Sequence, residues 1–208
     1  MAAALALVDE EGLAALSMRR LATKLGVDPM AIYYYLPNKA ALEYAIVEAV
    51  NVSMGPDMLG FDMSLPLYEL VVGAGRLLRT ALLRHPNAVP LLVVRSGATL
   101  ASWRPGDMMV GCLIERGLTP AEGVAAVDAF STYVTASVHR QIQLPVGPEH
   151  DPHVELRKMR EALDPAELPN LARALAEGDL MDFDAEFDFG LMALARGYVE
   201  VANKRAGR

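Results

Sequence analysis

The side chains of this chain with the clearest chemical potential lie between Ser17 and Lys39. Tyr33, Tyr34 and Tyr35 are consecutive. At about 100° per residue, three neighbours span roughly 200° of a helix surface, so they cannot all enter one small core. At least one or two phenols must face water, and an exposed phenol beside a cation suits a phosphate backbone. A second reading stays open, in which the tyrosines only cover the packing between two short helices. Arg19, Arg20, Lys24 and Lys39 share this span, and Asp28 is its one acidic residue. Lys39 falls in the first turn of a predicted helix, where a cation opposes the helix dipole. A phosphate there would be held by the lysine and the helix N-terminus together, although a tolerated surface lysine costs only tenths of a kcal/mol.

Other chemistry finds no support. There is no HExxH, no Glu-x-x-His pair, no Gly-rich phosphate loop and no G-x-S-x-G elbow. Cys112 is the single cysteine, which excludes an internal disulfide or a Cys-cluster zinc site, and it reads as a small hydrophobe buried in a helix. His150 and His153 flank Asp151 in a Pro-rich loop, where a solvated acidic surface is the better reading than a metal site. No enzyme activity, cofactor or metal is expected.

The elements that must position the basic span follow from composition and breakers. Of 208 residues, 53% are hydrophobic but only 6% aromatic, and the Ala, Leu, Val and Met load favours helix. The expected fold is all-α. Net charge is −7, so a nucleic-acid contact must come from a local patch. The first 50 residues hold four basic and six acidic residues, a balance of −2, with most of the acidic ones outside Ser17 to Lys39. No apolar run reaches the length of a bilayer span, and MAAALALV lacks a basic flank, so a cytoplasmic protein with no membrane partner is expected.

Helices are predicted over 1–10, 18–25, 29–36 and 39–50, with Ser17, Asp28 and Asn38 as N-caps and Gly12, Gly26 and Pro37 as stops. Breakers at 51–63 set a boundary between a domain at 1–50 and a second at 51–208. Further helices are predicted at about 64–84, 87–95, 105–116, 120–143 and 183–203, with a connection at 97–103, a loop PVGPEHDP, and one or two short helices in 153–178. Within the first domain, Ala22, Gly26 and Ile32 have the spacing of a helix-turn-helix. Ala22 sits at the helix crossing, Gly26 supplies the positive φ of the turn, and Ile32 plugs the second helix onto the first. Leu21, Leu25 and Val27 are expected to complete the small core.

The run EEGLAALSMRRLATKLGVDPMAIYYYLPNKAALEYAI resembles the DNA-binding headpiece of the TetR (tetracycline repressor) family. The matching positions are Gly12-Leu13, Leu16 to Arg19, Leu21-Ala22, Leu25 to Val27, Ile32-Tyr33, and Asn38-Lys39 with Leu42. LLRTALLRHPNAVPLL, ERGLTPAEGVAAVDAFSTYVTASV and FDAEFDFGLMALARGYV are similar, more weakly, to the C-terminal domain of tetracycline-repressor-like members. The resemblance implies a dimeric regulator whose second motif helix enters the major groove of double-stranded DNA at a palindromic operator. By position, Ser17, Tyr33, Tyr35 and Lys39 would contact phosphates. Arg19, Pro29, Met30, Ala31 and Tyr34 would face or border base edges, and Arg20 belongs to the same basic surface. Arg19 is the candidate among them for a two-pronged guanine contact. The family has a longer first helix after a basic arm, so the first helix here is expected to be truncated. The histidines that hold drug and metal in the tetracycline repressor have no counterpart in VNVSMGPD or AVPLLVVRSG, so a tetracycline–magnesium ligand is not expected.

In the second domain, polar residues interrupt an apolar helix. Asp128, Thr132, Thr135 and His139 would orient a small apolar effector, with Trp103, Met108 and Met109 as apolar lining. Satisfaction of these polar groups within the helix bundle is the competing reading. The last helix has two apolar faces. Phe183, Phe187, Leu191, Leu194 and Tyr198 form one; Phe189, Met192, Ala193 and Gly197 form the other. A helix apolar nearly all round is buried on both sides, so the second face is expected at a homodimer interface. Gly190 and Gly197 would allow close approach there, opposite Gly123, Ala125, Ala126, Ala129 and Ala136. The expected function is a repressor released from its operator by a small apolar molecule. The alternative is a small-molecule-binding helical protein whose shortened headpiece binds DNA poorly or not at all.

Overall fold

A computed structural model of the chain describes residues 1–94, 100–143, 152–177 and 182–207, and no strand occurs among them. The helices are α1 (Ala2–Glu11), α2 (Met18–Leu25), α3 (Pro29–Tyr35), α4 (Lys39–Ser53), α5 (Gly55–Leu59), α6 (Leu67–Leu83), α7 (Val89–Val94), α8 (Leu100–Glu115), α9 (Pro120–Gln143), α10 (Pro152–Ala162), α11 (Pro169–Glu177) and α12 (Phe183–Ala206). Short 3-10 turns occupy Leu13–Ala15 and Pro86–Ala88.

Local chemistry sets most boundaries. The Asp182 carboxylate caps α12 by accepting from the N–H groups of Asp184 and Ala185. At α9, Thr119 and Glu122 cap each other. The Glu122 carboxylate accepts from the Thr119 N–H at 2.8 Å, and the Thr119 hydroxyl accepts from the Glu122 N–H at 3.3 Å. The bonds that the Thr119 N–H and hydroxyl donate to the Glu122 carboxylate, with Arg205 nearby, hold it below its ordinary range.

Two boundaries differ from expectation. The breaker stretch 51–63 is partly helical: α4 continues to Ser53 and α5 follows, before the turns at 60–66. Pro56 falls in the first turn of α5, where its missing N–H has no helical partner to lose. Likewise α8 starts at Leu100, ahead of Pro105. The proline forfeits one bond, to the Ala101 carbonyl, instead of opening the helix. The rest of the predicted 97–103 connection, and most of the PVGPEHDP loop, lie outside the described residues.

The body is built on α6, which buries Leu70, Val71, Ala74 and Leu82. It packs closely on α12 through Leu191, and α9 adds Phe130, Val134 and Val138. Gly75 makes that approach possible: a Cβ there would lie 2.5 Å from a Leu191 methyl. Gly190 does the same beneath the Tyr133 ring, which gives it a packing role within the chain. The Tyr133 hydroxyl donates to the Phe187 carbonyl at 2.9 Å, and its ring stacks on Phe187. Burial pushes the Tyr198 phenol up to about 12, and its hydroxyl donates to the Ala126 carbonyl. Cys112 is half-buried in α8.

The core is continuous from Ala4 in α1 to Ala202 in α12. The headpiece is therefore anchored to the body, and one anchor is polar. The Asn87 amide donates to the carbonyls of Val8 and Asp9 at 3.1 Å each, and His85 Nδ1 lies 2.9 Å from Asp9 Oδ2. These bonds meet the end of α1, where helix carbonyls lack internal partners.

Candidate nucleic-acid interface

The motif is assembled by its caps. The Ser17 hydroxyl accepts from the Arg20 N–H at 3.2 Å, the Asp28 carboxylate from Met30 at 2.8 Å, and the Asn38 amide oxygen from Ala41 at 2.9 Å. Gly26 ends α2 in the left-handed region at φ 68°. Its N–H reaches the Thr23 carbonyl while the Val27 N–H reaches Ala22, a Schellman closure. This closure sets the angle at which α3 leaves. Leu21, Ala22 and Ile32 are buried at the crossing, as their spacing predicts. Leu25 and Val27 are exposed, which corrects their assignment to the small core. The pair α2–α3 is too short to cover both sides of the turn, and Leu25 and Val27 lie on the outer side.

Ile32 is the one buried residue of α3. Pro29, Met30 and Ala31 are exposed, and so are Tyr33, Tyr34 and Tyr35, at 45%, 84% and 79%. The tyrosines thus do not simply cover packing between helices. Tyr34 and Tyr35 meet edge to face, with ring centroids 5.0 Å apart.

The basic patch is smaller than the sequence spacing suggested. Glu11 holds Arg20 at 2.7 Å, and Glu10 holds Lys24 at 2.5 Å. The acidic end of α1, distant in sequence, folds back onto two of the four cations. Arg19 and Lys39 are exposed and form no ion pair with a described residue. Glu10 and Glu11 were the residues missed, and only the packing of α1 on α2 could reveal them. Lys39 is the first residue of α4, beside the free N–H groups of that helix. From there α4 runs inward, burying Leu42, Ile46 and Val50 and packing on α7 and α8.

The expected effector residues are dispersed. Trp103 and Met108 are exposed on α8, while Met109 is buried. Asp128 and Thr132 form an exposed stripe of α9 that continues through half-buried Thr135 and His139. An open groove of about 690 Å³ between α6 and α12 is lined by Tyr68, Arg196, Val199, Glu200, Asn203 and Lys204, none of them predicted.

The expected dimer residues show a clearer pattern. Phe187 and Leu191 are buried on one face of α12, whereas Phe189 (78% exposed), Ala193 and Gly197 lie open on the other, with Met192 half-buried between. Ala125, Ala129 and Ala136 are exposed on α9, while Gly123 and Ala126 face inward, against α8 and Tyr198. Gly123 and Ala126 are thereby removed from the expected outer face.

Residues 1–46 match the family model described as bacterial regulatory proteins, tetR family. Residues 67–201 match the model for the tetracyclin repressor-like C-terminal domain. The chain is 31% identical to tetracycline repressor protein class G of Vibrio anguillarum, over 95% of this chain and 90% of that protein. The structure of the Streptomyces coelicolor TetR family protein ActR in complex with (S)-DNPA superposes with a TM-score of 0.82 at 25% identity, over 97% of this chain and 95% of that one. A possible TetR family transcriptional regulator from Streptomyces coelicolor A3(2) gives 0.77 at 28% identity, over 96% and 97%. No helix among the described residues is long and apolar enough to cross a membrane.

Proposed function

We propose that this chain, which belongs to the tetR family of bacterial regulatory proteins and is a ligand-responsive DNA-binding regulator, works as a cytoplasmic homodimeric repressor that a small apolar molecule releases from a palindromic operator. The observation that carries this reading is α3. A seven-residue helix that buries Ile32 and exposes everything else is not there to build a core. It is held at a set angle by caps at both ends, with Arg19 and Lys39 free on either side of it. That arrangement suits a groove-inserted helix flanked by phosphate contacts.

Dimerisation is supported by the open apolar face of α12 and α9, formed by Phe189, Ala193, Gly197, Ala125 and Ala129. Two copies joined there would present two α3 helices, and a palindrome with half-sites roughly 34–36 Å apart matches such symmetry. The effector is proposed to act on the body near α8 and α9, with Trp103, Met108, Met109, Asp128, Thr132, Thr135 and His139 as its candidate contacts. ActR, the related protein, is described in complex with a small molecule, (S)-DNPA. Since α4 starts at Lys39 and is buried against α7 and α8 at its far end, a shift of those helices would move the headpiece. Effector and operator affinities must then oppose each other by the same factor. No catalytic role is assigned to any residue.

The test is selection of the purified protein on a random duplex library, followed by anisotropy titrations at several salt concentrations. A recovered palindrome with a steep salt slope is the expected result. Absence of enrichment, with a folded dimer in hand, would overturn the reading and leave a helical ligand-binding protein.

A further inference from the structure

The exposed surface of α3 has an unusual chemical restriction. At about 100° per residue, the direction opposite the buried Ile32 is shared by Met30 and Tyr34, each about 20° from it. Ala31 and Tyr33 lie to either side. Met30 is 73% exposed and Tyr34 84%, in agreement with that geometry. The helix, PMAIYYY, carries no amide, carboxylate, guanidinium or ammonium side chain. Adenine and guanine present paired polar groups in the major groove, and good discrimination of either needs a two-pronged partner. Met30 and Ala31 have no prong, and a phenol has one. What an apolar side chain can read there is the C5-methyl of thymine.

We propose that α3 reads its half-site through thymine C5-methyl groups, with Met30 as the principal contact and Tyr34 beside it, so that 5-methylcytosine can stand in for thymine. The inference rests on the DNA-binding reading above and adds the base chemistry of the site. Two further observations support it. The Tyr34 ring meets Tyr35 edge to face, so an aromatic wall stands one turn from the Met30 thioether. In addition, Arg20 and Lys24 are tied to Glu11 and Glu10, which leaves Arg19 as the free guanidinium of the motif. Polar readout is thereby confined to the edge of the site, and its centre is apolar. Such a reader responds to a methyl group whichever pyrimidine carries it.

The experiment uses the full-length protein and the operator recovered by selection. Each thymine is replaced in turn by uracil, which differs only in lacking the methyl. Burial of one methyl predicts about fourfold weaker binding per half-site at one or two positions, and about fifteenfold when both half-sites are changed. At those positions cytosine should bind weakly, and 5-methylcytosine should recover about the same fourfold. Met30→Ala should erase the difference between thymine and uracil. Met30→Gln, also at this exposed position, should shift preference toward adenine. Thermal melts that match the parent protein confirm that both variants fold. Specific, salt-dependent binding that ignores uracil at every position would overturn the inference while leaving the DNA-binding reading intact. A thymine–uracil difference that survives Met30→Ala would overturn the assignment to Met30. Failure to enrich any operator would overturn both.

Discussion

The two lysines of the headpiece should behave differently on DNA, because the structure has already engaged one of them. Lys24 lies 2.5 Å from Glu10 with its side chain 28% exposed, whereas Lys39 stands exposed at the head of α4. Each phosphate neutralised contributes about 0.9 to the slope of log K against log salt, and a dimer carries two copies. Lys39→Ala should therefore flatten the slope by about 1.8, equivalent to about thirtyfold weaker binding at about 0.15 M salt on a one-molar reference. Lys24→Ala should change the slope by less than about 0.5, since its charge is spent on Glu10. The reverse perturbation sharpens the contrast. Glu10→Gln frees Lys24 and should steepen the slope, by up to about 1.8, on operator and scrambled duplexes alike. Anisotropy titrations at several ionic strengths measure all three. Equal flattening by Lys39→Ala and Lys24→Ala would refute the reasoning, because it would mean that the carboxylates of α1 release their cations on DNA.

Three other outcomes are expected. Gly75→Ala should lower stability: overpacking against the fully buried Leu191 costs about 1–3 kcal/mol, against a gain of about 1 kcal/mol in helix propensity. The net of up to about 2 kcal/mol should drop the melting temperature by up to about 8 °C, and a rise would show that Leu191 swings aside. Phe189→Glu should raise the dimer dissociation constant on the order of 100-fold or more, read by sedimentation, because it places a charge on the open face of α12; an unchanged dimer would exclude that face. The third concerns acid. Arg76 makes a two-pronged contact with Asp188, at 3.0 and 2.7 Å, and holds its carboxyl below the ordinary range. A depressed carboxylate stabilises the fold above the unfolded pKa near 4, and the contribution is lost as pH falls through the folded value. Arg76→Gln should thus destabilise the fold slightly near neutral pH, by about 0–1 kcal/mol for so exposed a pair, and the gap should narrow as pH falls below about 4. A gap independent of pH would show that Arg76 acts by packing alone.

Much of the headpiece was legible in the sequence, because its determinants act over a few residues. The caps at Ser17, Asp28 and Asn38, the left-handed Gly26 and the plug Ile32 each state a local backbone or packing requirement. The two-faced pattern of α12 was equally legible, since a helix repeat projects onto faces without any knowledge of the neighbours. Elements whose limits depend on remote partners were less so. Pro105 reads locally as a start, yet α8 begins before it, and the breaker-rich stretch after α4 still closes a short helix.

The charge pattern marks the division most plainly. Counting along the chain finds four cations in the motif and places the acidic run of α1 outside it. In three dimensions α1 lies against α2, and Glu10 and Glu11 take Lys24 and Arg20. A linear count cannot see this, because an ion pair forms at a few ångströms however many residues separate its members. The sequence alone therefore determined most of the helices, the caps of the headpiece and the exposure of α3. Tertiary packing decided which cations remain free to meet a phosphate, which small residues of α9 and α12 face outward, and how the end of α1 is fastened to the body through Asn87 and His85.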